Sequence, residues 1–335
     1  MSALIVIGTS VGGLSALRKL FAGLGTNFPS PILVVQHVGA HPSRLPALLS
    51  SPRMTFRHAR EGDRLRPGMF LVAPPDRHLL VEDGVVCLSN SAKEHHTRPA
   101  VDPLFRSSAL AWGADVIGVV LTGALSDGTA GLQAIKAMGG IAIVQDPDEA
   151  EEAGMPSSAL EHCVVDHCVR LAEMAPLLTR LASGEAFLPR PAPITGATHR
   201  RELLEHEAAL GLGKGDPMEH LQAIGEPSTL TCPDCQGVLW KIKGSSPLRF
   251  RCHTGHAFTG ETLDMVSRAT SEDTLWQALR SLQERHALLE MLRHHERRER
   301  HVAQLDEALE NLHAQSHALH RLIEHHHQPE RGMEE

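Results

Sequence analysis

The sequence predicts an α/β protein built on a doubly wound, mainly parallel sheet of Rossmann-like type, followed by a small zinc-ribbon-like module and C-terminal helices. Three observations carry this. Continuous apolar runs at 4–7, 32–35, 116–121 and 141–144 have the character of strands buried on both faces. Helical stretches at 14–24, 132–138 and 170–181 alternate with them, as a layered α/β sheet requires. Three of the runs lead into a serine, a histidine and an aspartate, and open parallel sheets bind ligands beyond the carboxyl ends of their strands.

Residues 56–87 read as shorter strands with turns at Arg66-Pro67-Gly68 and Pro74-Pro75-Asp76, which suggests an antiparallel edge. The segment LPRPAPITGAT (188–198) has three prolines and no periodicity, as a linker does. Beyond it lie a helix near 201–210, a cysteine/histidine cluster and a long polar helical tail. Leu275, Leu279, Leu282 and Leu289, then Leu305, Leu309, Leu312, Leu319 and Ile323, recur at threes and fours on either side of a polar stretch at 293–301. That pattern predicts an amphipathic helix pair or coiled coil, able to pack on its own chain or to mediate self-association. The expected organisation is a catalytic domain over 1–186, a linker over 187–200, a helix with the metal-binding module over 201–268 and the tail over 269–335.

The chain has 335 residues, 42% of them hydrophobic, and a formal net charge of −8, which leaves no basic footprint for nucleic acid. No run approaches the roughly 20 apolar residues of a membrane-spanning helix, so no membrane insertion is expected. The first strand starts within a few residues of Met1, with no basic leader or cleavage site, and a cytoplasmic location is expected. Six cysteines in a chain of this length point to reduced thiols plus a metal site rather than a disulfide framework. Cys87, Cys163 and Cys168 have no partner spacing and read as packing residues.

The loop Gly8-Thr9-Ser10-Val11-Gly12-Gly13 lacks the Gly-Lys-Ser/Thr of a phosphate loop, and Ser10 stands where a dinucleotide fingerprint needs glycine. It does match G-x-S-x-G, whose small residues allow the tight strand-to-helix turn that holds a hydroxyl out of the sheet. Ser10 then sits at a helix N-terminus, where the amides at Val11 and Gly12 and the helix dipole favour developing negative charge. A serine that merely caps the helix is the plainer alternative. His37 ends the next strand and is suited to take the serine proton and return it to a leaving group. Two carboxylates at strand ends can complete a triad, Asp127 and Asp146; the glycine-bounded loop 123–128 favours Asp127.

Cys232-Pro233-Asp234-Cys235 is followed, after sixteen residues, by Cys252-His253-Thr254-Gly255-His256. Two half-sites joined by a short hairpin suit a tetrahedral zinc, with Cys232, Cys235, Cys252 and His256 as ligands. Four protein ligands leave no open position, so the metal is expected to be structural and catalysis to survive its removal, with no cofactor needed for hydrolysis.

The blocks VIGTSVGG, VVQH, HTRPAVDPLF, GVVLTGALSDGTAGL and EAGMPSSAL, in this order, resemble the catalytic domain of CheB-type chemotaxis protein-glutamate methylesterases over about residues 3–182. The resemblance implies a triad of Ser10, His37 and Asp127. It further implies hydrolysis of glutamate γ-methyl esters on the cytoplasmic helices of chemoreceptors, with deamidation of receptor glutamines as a second activity. An oxyanion amide at Ala124 is implied, where the family has methionine. Val11 stands where threonine is frequent, removing a hydroxyl near the triad histidine. Arg98 and Met155 are implied to line the cleft. Family members commonly begin with a receiver domain; here the first strand starts at Leu4, so control by phosphorylation in cis is not expected. Alternatives are another ester or amide substrate on the same scaffold, or a non-catalytic scaffold whose zinc and helical parts do the work.

Overall fold

A computed structural model describes residues 3–184 and 197–326, so most of the predicted linker lies outside the described residues. The chain runs through β1 (Leu4–Thr9), α1 (Gly13–Ala22), β2 (Ile32–Gln36), α2 (Leu45–Leu49), β3 (Phe56–His58), β4 (Phe70–Val72), β5 (His78–Glu82) and β6 (Val85–Ser89). It continues through α3 (Val101–Trp112), β7 (Val116–Val120), α4 (Thr129–Ala137), β8 (Ile141–Gln145), α5 (Gly154–His162), β9 (His167–Val169) and α6 (Leu171–Ala182). Seven strands form one parallel sheet in the order β3-β4-β2-β1-β7-β8-β9.

Alternation along the strands sorts their side chains into two layers. Ile5, Ile7, Ile32, Val34, Ile117 and Val119 pack with Leu17, Leu20 and Phe21 of α1 and Met174 and Leu178 of α6. Leu4, Val6, Leu33, Val35, Val116 and Val120 pack on the opposite face with Leu104 and Phe105 of α3 and Leu132 and Ile135 of α4. Both faces are therefore dry, which is why the strands read as unbroken apolar runs. The close approach of α4 uses Gly118, where a Cβ would fall 2.6 Å from Ile135 Cδ1.

Two expectations are corrected. The antiparallel edge expected in residues 56–87 is absent from the sheet: β3 and β4 join it in parallel, and only β5 and β6 pair antiparallel, as a separate hairpin. Cys168 is exposed on the edge strand β9, so it is no packing residue, whereas Cys87 and Cys163 are partly buried.

From residue 197 come α7 (Ala197–Leu212), α8 (Pro217–Ile224) and four antiparallel strands, β10 (Gly225–Thr231), β11 (Val238–Ile242), β12 (Arg249–Cys252) and β13 (Ala257–Thr259). Asp216 caps α8 by accepting the Met218 amide, with Pro217 at the first helical position. A small core of Leu239, Phe250, Phe258 and Leu263 encloses Cys232 and Cys252. The residues up to Leu263 form one compact unit, so the predicted catalytic and cysteine/histidine stretches, distinct in sequence, share one body. α7 packs on α3, and Arg249 pairs with buried Glu207 at 2.8 Å.

The second unit, from Asp264, holds most of α9 (Gly260–His295) and α10 (Glu299–His326). The break between the helices falls in the polar stretch 293–301. Arg293 pairs with Asp306 beside the turn, the Trp276 and His320 rings meet edge-on at 6.4 Å, and Leu279, Leu312 and Ile323 are buried. None of the described helices is long and apolar enough to cross a membrane.

Candidate active site

Ser10 lies just past the carboxyl end of β1, in the turn into α1. The turn is possible because Gly12 adopts φ +75° and because a Cβ at Gly13 would fall 2.0 Å from Gln36 Oε1. Its backbone is tied to the end of β7: the Ser10 amide donates to Thr122 O at 3.0 Å, as Thr9 Oγ1 does at 2.8 Å. Thr122 Oγ1 donates in turn to Val11 O at 3.0 Å. Gln36 Nε2 donates to Ser10 O at 2.7 Å, so the strand that delivers the histidine also clamps the serine.

His37 follows β2, its amide donating to Thr9 O. Ser10 Oγ lies 3.1 Å from His37 Nδ1, and His37 Nε2 lies 2.7 Å from Asp127 Oδ2. With Nε2–H donating to the carboxylate, Nδ1 carries the lone pair that faces the hydroxyl. The structure thus brings Ser10, His37 and Asp127 into one relay.

Asp127 is buried. Its Oδ2 also accepts the Val101 amide at 2.7 Å, and Oδ1 accepts the Asp102 amide at 3.0 Å. Burial pushes its pKa up, but the neighbouring charge of His95 and the hydrogen bond from His37 outweigh this and hold it at about 2. A permanently ionised carboxylate is what a triad needs to orient an imidazole and stabilise its cation. Asp146, the other candidate, is occupied elsewhere: it accepts the Asp148 amide and pairs with Arg170 at 3.5 Å.

The remaining predicted residues fall into two groups. Val11 is half exposed, and Ser10, Gly12, Gln36 and Glu151 line an open cleft of about 560 Å³ with Arg18 and Lys19 on its rim. Ala124 lies in the loop facing the serine, since a Cβ on its neighbour Gly123 would fall 2.8 Å from Ser10 Cβ. Met155 is fully buried behind the loop that faces Ser10: its amide donates to Gly123 O, and a Cβ on Gly123 would fall 2.2 Å from its sulfur. Arg98 spends its donors on Asp76 and on the carbonyls of Asn90 and Ser91, bracing two loops.

Sequence reasoning passed over the residues that hold the aspartate. Asp102 Oδ1 accepts the amides of Gly128 and Gly131 at the start of α4, and its Oδ2 accepts His95 Nε2 at 2.9 Å. His95 is also 3.6 Å from Asp127 Oδ1; burial lowers its pKa, yet Asp127 and Asp102 together raise it on balance. Next to it, buried Glu94 accepts Arg106 Nη2 through both oxygens and Arg251 Nη2 at 2.7 Å. Burial favours its neutral form, but the two guanidinium groups hold it well below the usual carboxylate range. The one available signal was the aspartate of HTRPAVDPLF at the start of α3; nothing local pointed to Glu94 or His95.

A family model described as CheB methylesterase matches residues 5–178, about half of the chain and all three members of the relay. The chain belongs to the CheB methylesterase family. A protein-glutamate methylesterase/protein-glutamine glutaminase of Anaeromyxobacter dehalogenans is 40% identical over 179 residues, 53% of this chain and 52% of that one. A relative from Leptospira interrogans, given the same two activities provisionally, is 41% identical over 180 residues, 53% of this chain and 93% of its own length. The crystal structure of the Thermotoga maritima CheB methylesterase catalytic domain superposes with a TM-score of 0.52 at 34% identity, over 54% of this chain and 99% of that one.

The CheB methylesterase match stops before α7, so the four-stranded module and the α9–α10 helices lie outside it. In that module Cys232, Cys235, Cys252 and His256 bring their ligand atoms within 4.8 Å of one another. His95, Asp102 and Asp127 cluster as tightly, but their oxygens are taken by amides and by the two imidazoles, which makes them a hydrogen-bond network.

Proposed function

We propose that this chain hydrolyses γ-methyl esters of glutamate side chains on the cytoplasmic helices of chemoreceptor-type proteins, with Ser10 as nucleophile. The observation that carries the reading is the Ser10–His37–Asp127 relay, with Ser10 lining an open cleft. Ser10 Oγ attacks the ester carbonyl as its proton passes to His37 Nδ1, and Asp127 stabilises the imidazolium through Nε2. The tetrahedral oxyanion is assigned to the amides around the elbow and the facing loop, at Val11, Gly12 and Ala124, where the start of α1 adds a favourable dipole. Collapse returns the proton to the methoxy oxygen and releases methanol. Water, deprotonated by His37, then attacks the glutamyl-Ser10 ester, giving free glutamate and regenerating the hydroxyl.

The same sequence with a primary amide releases ammonia, which is the glutaminase activity carried in the names of the relatives. A cleft that lies open beyond the carboxyl ends of the central strands suits a side chain presented on the surface of a helix better than a buried small molecule. The α9–α10 hairpin, with Trp276, Met291 and Leu322 exposed, is assigned to recruitment of that helical substrate. Methanol release from radiomethylated receptor membranes tests the reading: wild type is expected to release label and Ser10→Ala to release none. Wild type that cleaves a small ester but leaves receptor label untouched would move the substrate elsewhere. Deleting residues 274–335 is expected to raise KM for receptor and leave a small ester unaffected.

A further inference from the structure

We propose that Cys232, Cys235, Cys252 and His256 hold a structural zinc ion, and that this metal keeps His95 in place as a positioning residue for Asp127. The inference rests on the hydrolase reading above and adds a second determinant of its rate.

The donor set has the dimensions of a tetrahedral zinc site. Zinc–sulfur bonds of about 2.3 Å place neighbouring sulfurs about 3.8 Å apart, and a sulfur and an imidazole nitrogen about 3.6 Å apart. Here Cys235 Sγ lies 3.6 Å from Cys252 Sγ, and Cys252 Sγ lies 3.5 Å from His256 Nδ1. Two tight turns present these atoms. In one, the Gln236 amide donates to Cys232 O and the Cys232 amide to Gly237 O. In the other, the Gly255 amide donates to Cys252 O and the Cys252 amide to His256 O. Gly255 takes φ +106°, and a Cβ on Gly237 would fall 2.6 Å from the His253 ring. His253 therefore packs on the first turn, which leaves His256 as the fourth ligand.

The site is joined to the relay by four sets of contacts. The other ring nitrogen of His256 faces Asp234 Oδ2 at 3.7 Å, and Asp234 Oδ1 lies 3.1 Å from His96 Nδ1. A carboxylate behind a ligating histidine is the usual way such a ring is oriented. The second set is through the main chain: the His95 amide donates to Ala257 O at 2.8 Å, and the Ala257 amide donates to Lys93 O. Arg251, one residue before the ligand Cys252, donates to buried Glu94. Ser126, beside Asp127, meets Thr259 through their hydroxyls at 3.0 Å.

His95 and His96 are both in the left-handed region, at φ +52° and +59°, where non-glycine residues are strained. Such a pair persists only where its surroundings over-determine it. The surroundings on one side are Asp102 of α3 and Asp127. On the other they are β12, which carries the proposed ligand Cys252, and β13, which adjoins the proposed ligand His256. Removing the metal frees that side, and His95 leaves the two carboxylates it spans.

The test uses the full chain and a small chromogenic ester, so that turnover reports on Ser10 whatever the physiological substrate. Metal analysis of the purified protein is expected to find one zinc per chain, lost in Cys252→Ser. The ligand set alone leads to the expectation that catalysis survives removal of the metal; the contacts to His95 replace it, and metal-free protein is expected to keep KM and lose about 10- to 100-fold in kcat, a loss reversed by added zinc, as for a misplaced catalytic group. His95→Gln is expected to show the same kcat loss with zinc retained. Removing zinc from His95→Gln should then cost nothing further, because both changes act through one side chain. Zinc absent from the native protein, kcat unchanged on its removal, or losses that multiply in the combined case would each overturn the inference. Wild type without any ester turnover would instead remove the hydrolase reading on which it rests.

Discussion

The two ends of the relay are anchored in different ways. Ser10 and His37 are held by the sheet, through amides and side chains of adjacent strand ends: Thr122 O, Thr9 O and Gln36 Nε2. Asp127 is held by the first turn of α3 and by His95, on a loop whose outer side is a strand edge more than 150 residues further along the chain. The first end inherits its precision from parallel strand register and needs nothing beyond the core sheet. The second depends on contacts assembled across the whole unit. The contacts that brace His95 from β12 and β13 lie outside the matched family segment, which is where the proposal above places a second determinant of rate.

The largest effects are expected where the sheet end is broken. Ser10→Ala and His37→Ala should each lower kcat by about 10⁵- to 10⁶-fold with the thermal midpoint unchanged, because members of a triad act as a unit. Turnover of a small ester, with a melting curve on the same sample, checks both. At the other end Asp127→Asn should cost about 10⁴-fold by favouring the wrong imidazole tautomer, while Asp146→Asn stays near wild type. Reversed results for the two aspartates would reassign the relay.

Asp127 also carries a pH signature. Its value in the folded protein lies below the ordinary 3.8, so it contributes stability that is fully present above about pH 4 and is lost as the pH falls toward 2. Urea midpoints for wild type and Asp127→Asn should therefore differ at pH 5 and converge at pH 2. A difference that does not shrink would mean that Asp127 is not held ionised.

Glu94→Gln leaves two buried guanidinium groups without their carboxylate and is expected to cost about 3–5 kcal/mol, read from denaturant unfolding. A matched pair of glycine changes gives the smallest effects. At Gly131, which donates to Asp102, a Cβ would fall 2.5 Å from Phe105 Cβ, close to the α3 backbone, so Gly131→Ala should cost about 2–3 kcal/mol and also slow turnover. Gly118→Ala meets only the ends of Ile135 and Leu132, which can shift, and should cost about 1 kcal/mol with kcat intact. Equal effects on kcat would erase the distinction between the two ends.

What could be read in advance follows the same division. Strands dry on both faces announce themselves as apolar runs, so the parallel sheet, Ser10 and His37 were legible from residues alone. Asp127 could be preferred over Asp146 only weakly from its loop, because what distinguishes them is the company of Val101, Asp102 and His95. The short strands β3 and β4 carry three residues each, too few for periodicity to show whether they pair in parallel. The four metal-ligand candidates were legible because turn chemistry dictates their spacing. The side of the protein they would brace was not, since Arg251 meets Glu94 across 157 residues of sequence. Met155 and Arg98 sit in family-like blocks, and their contacts to Gly123 O and to Asp76, Asn90 O and Ser91 O were not legible from those blocks.

The central claim is that Ser10 forms an acyl intermediate under the control of His37 and Asp127. Full-length protein mixed with a small activated ester and quenched in acid within the first turnover allows the adduct to be located by peptide mass spectrometry. The acyl group is expected on Ser10 in wild type, slowed strongly in Asp127→Asn and absent in Ser10→Ala. An adduct on any other residue, or steady turnover in Ser10→Ala, would contradict the account.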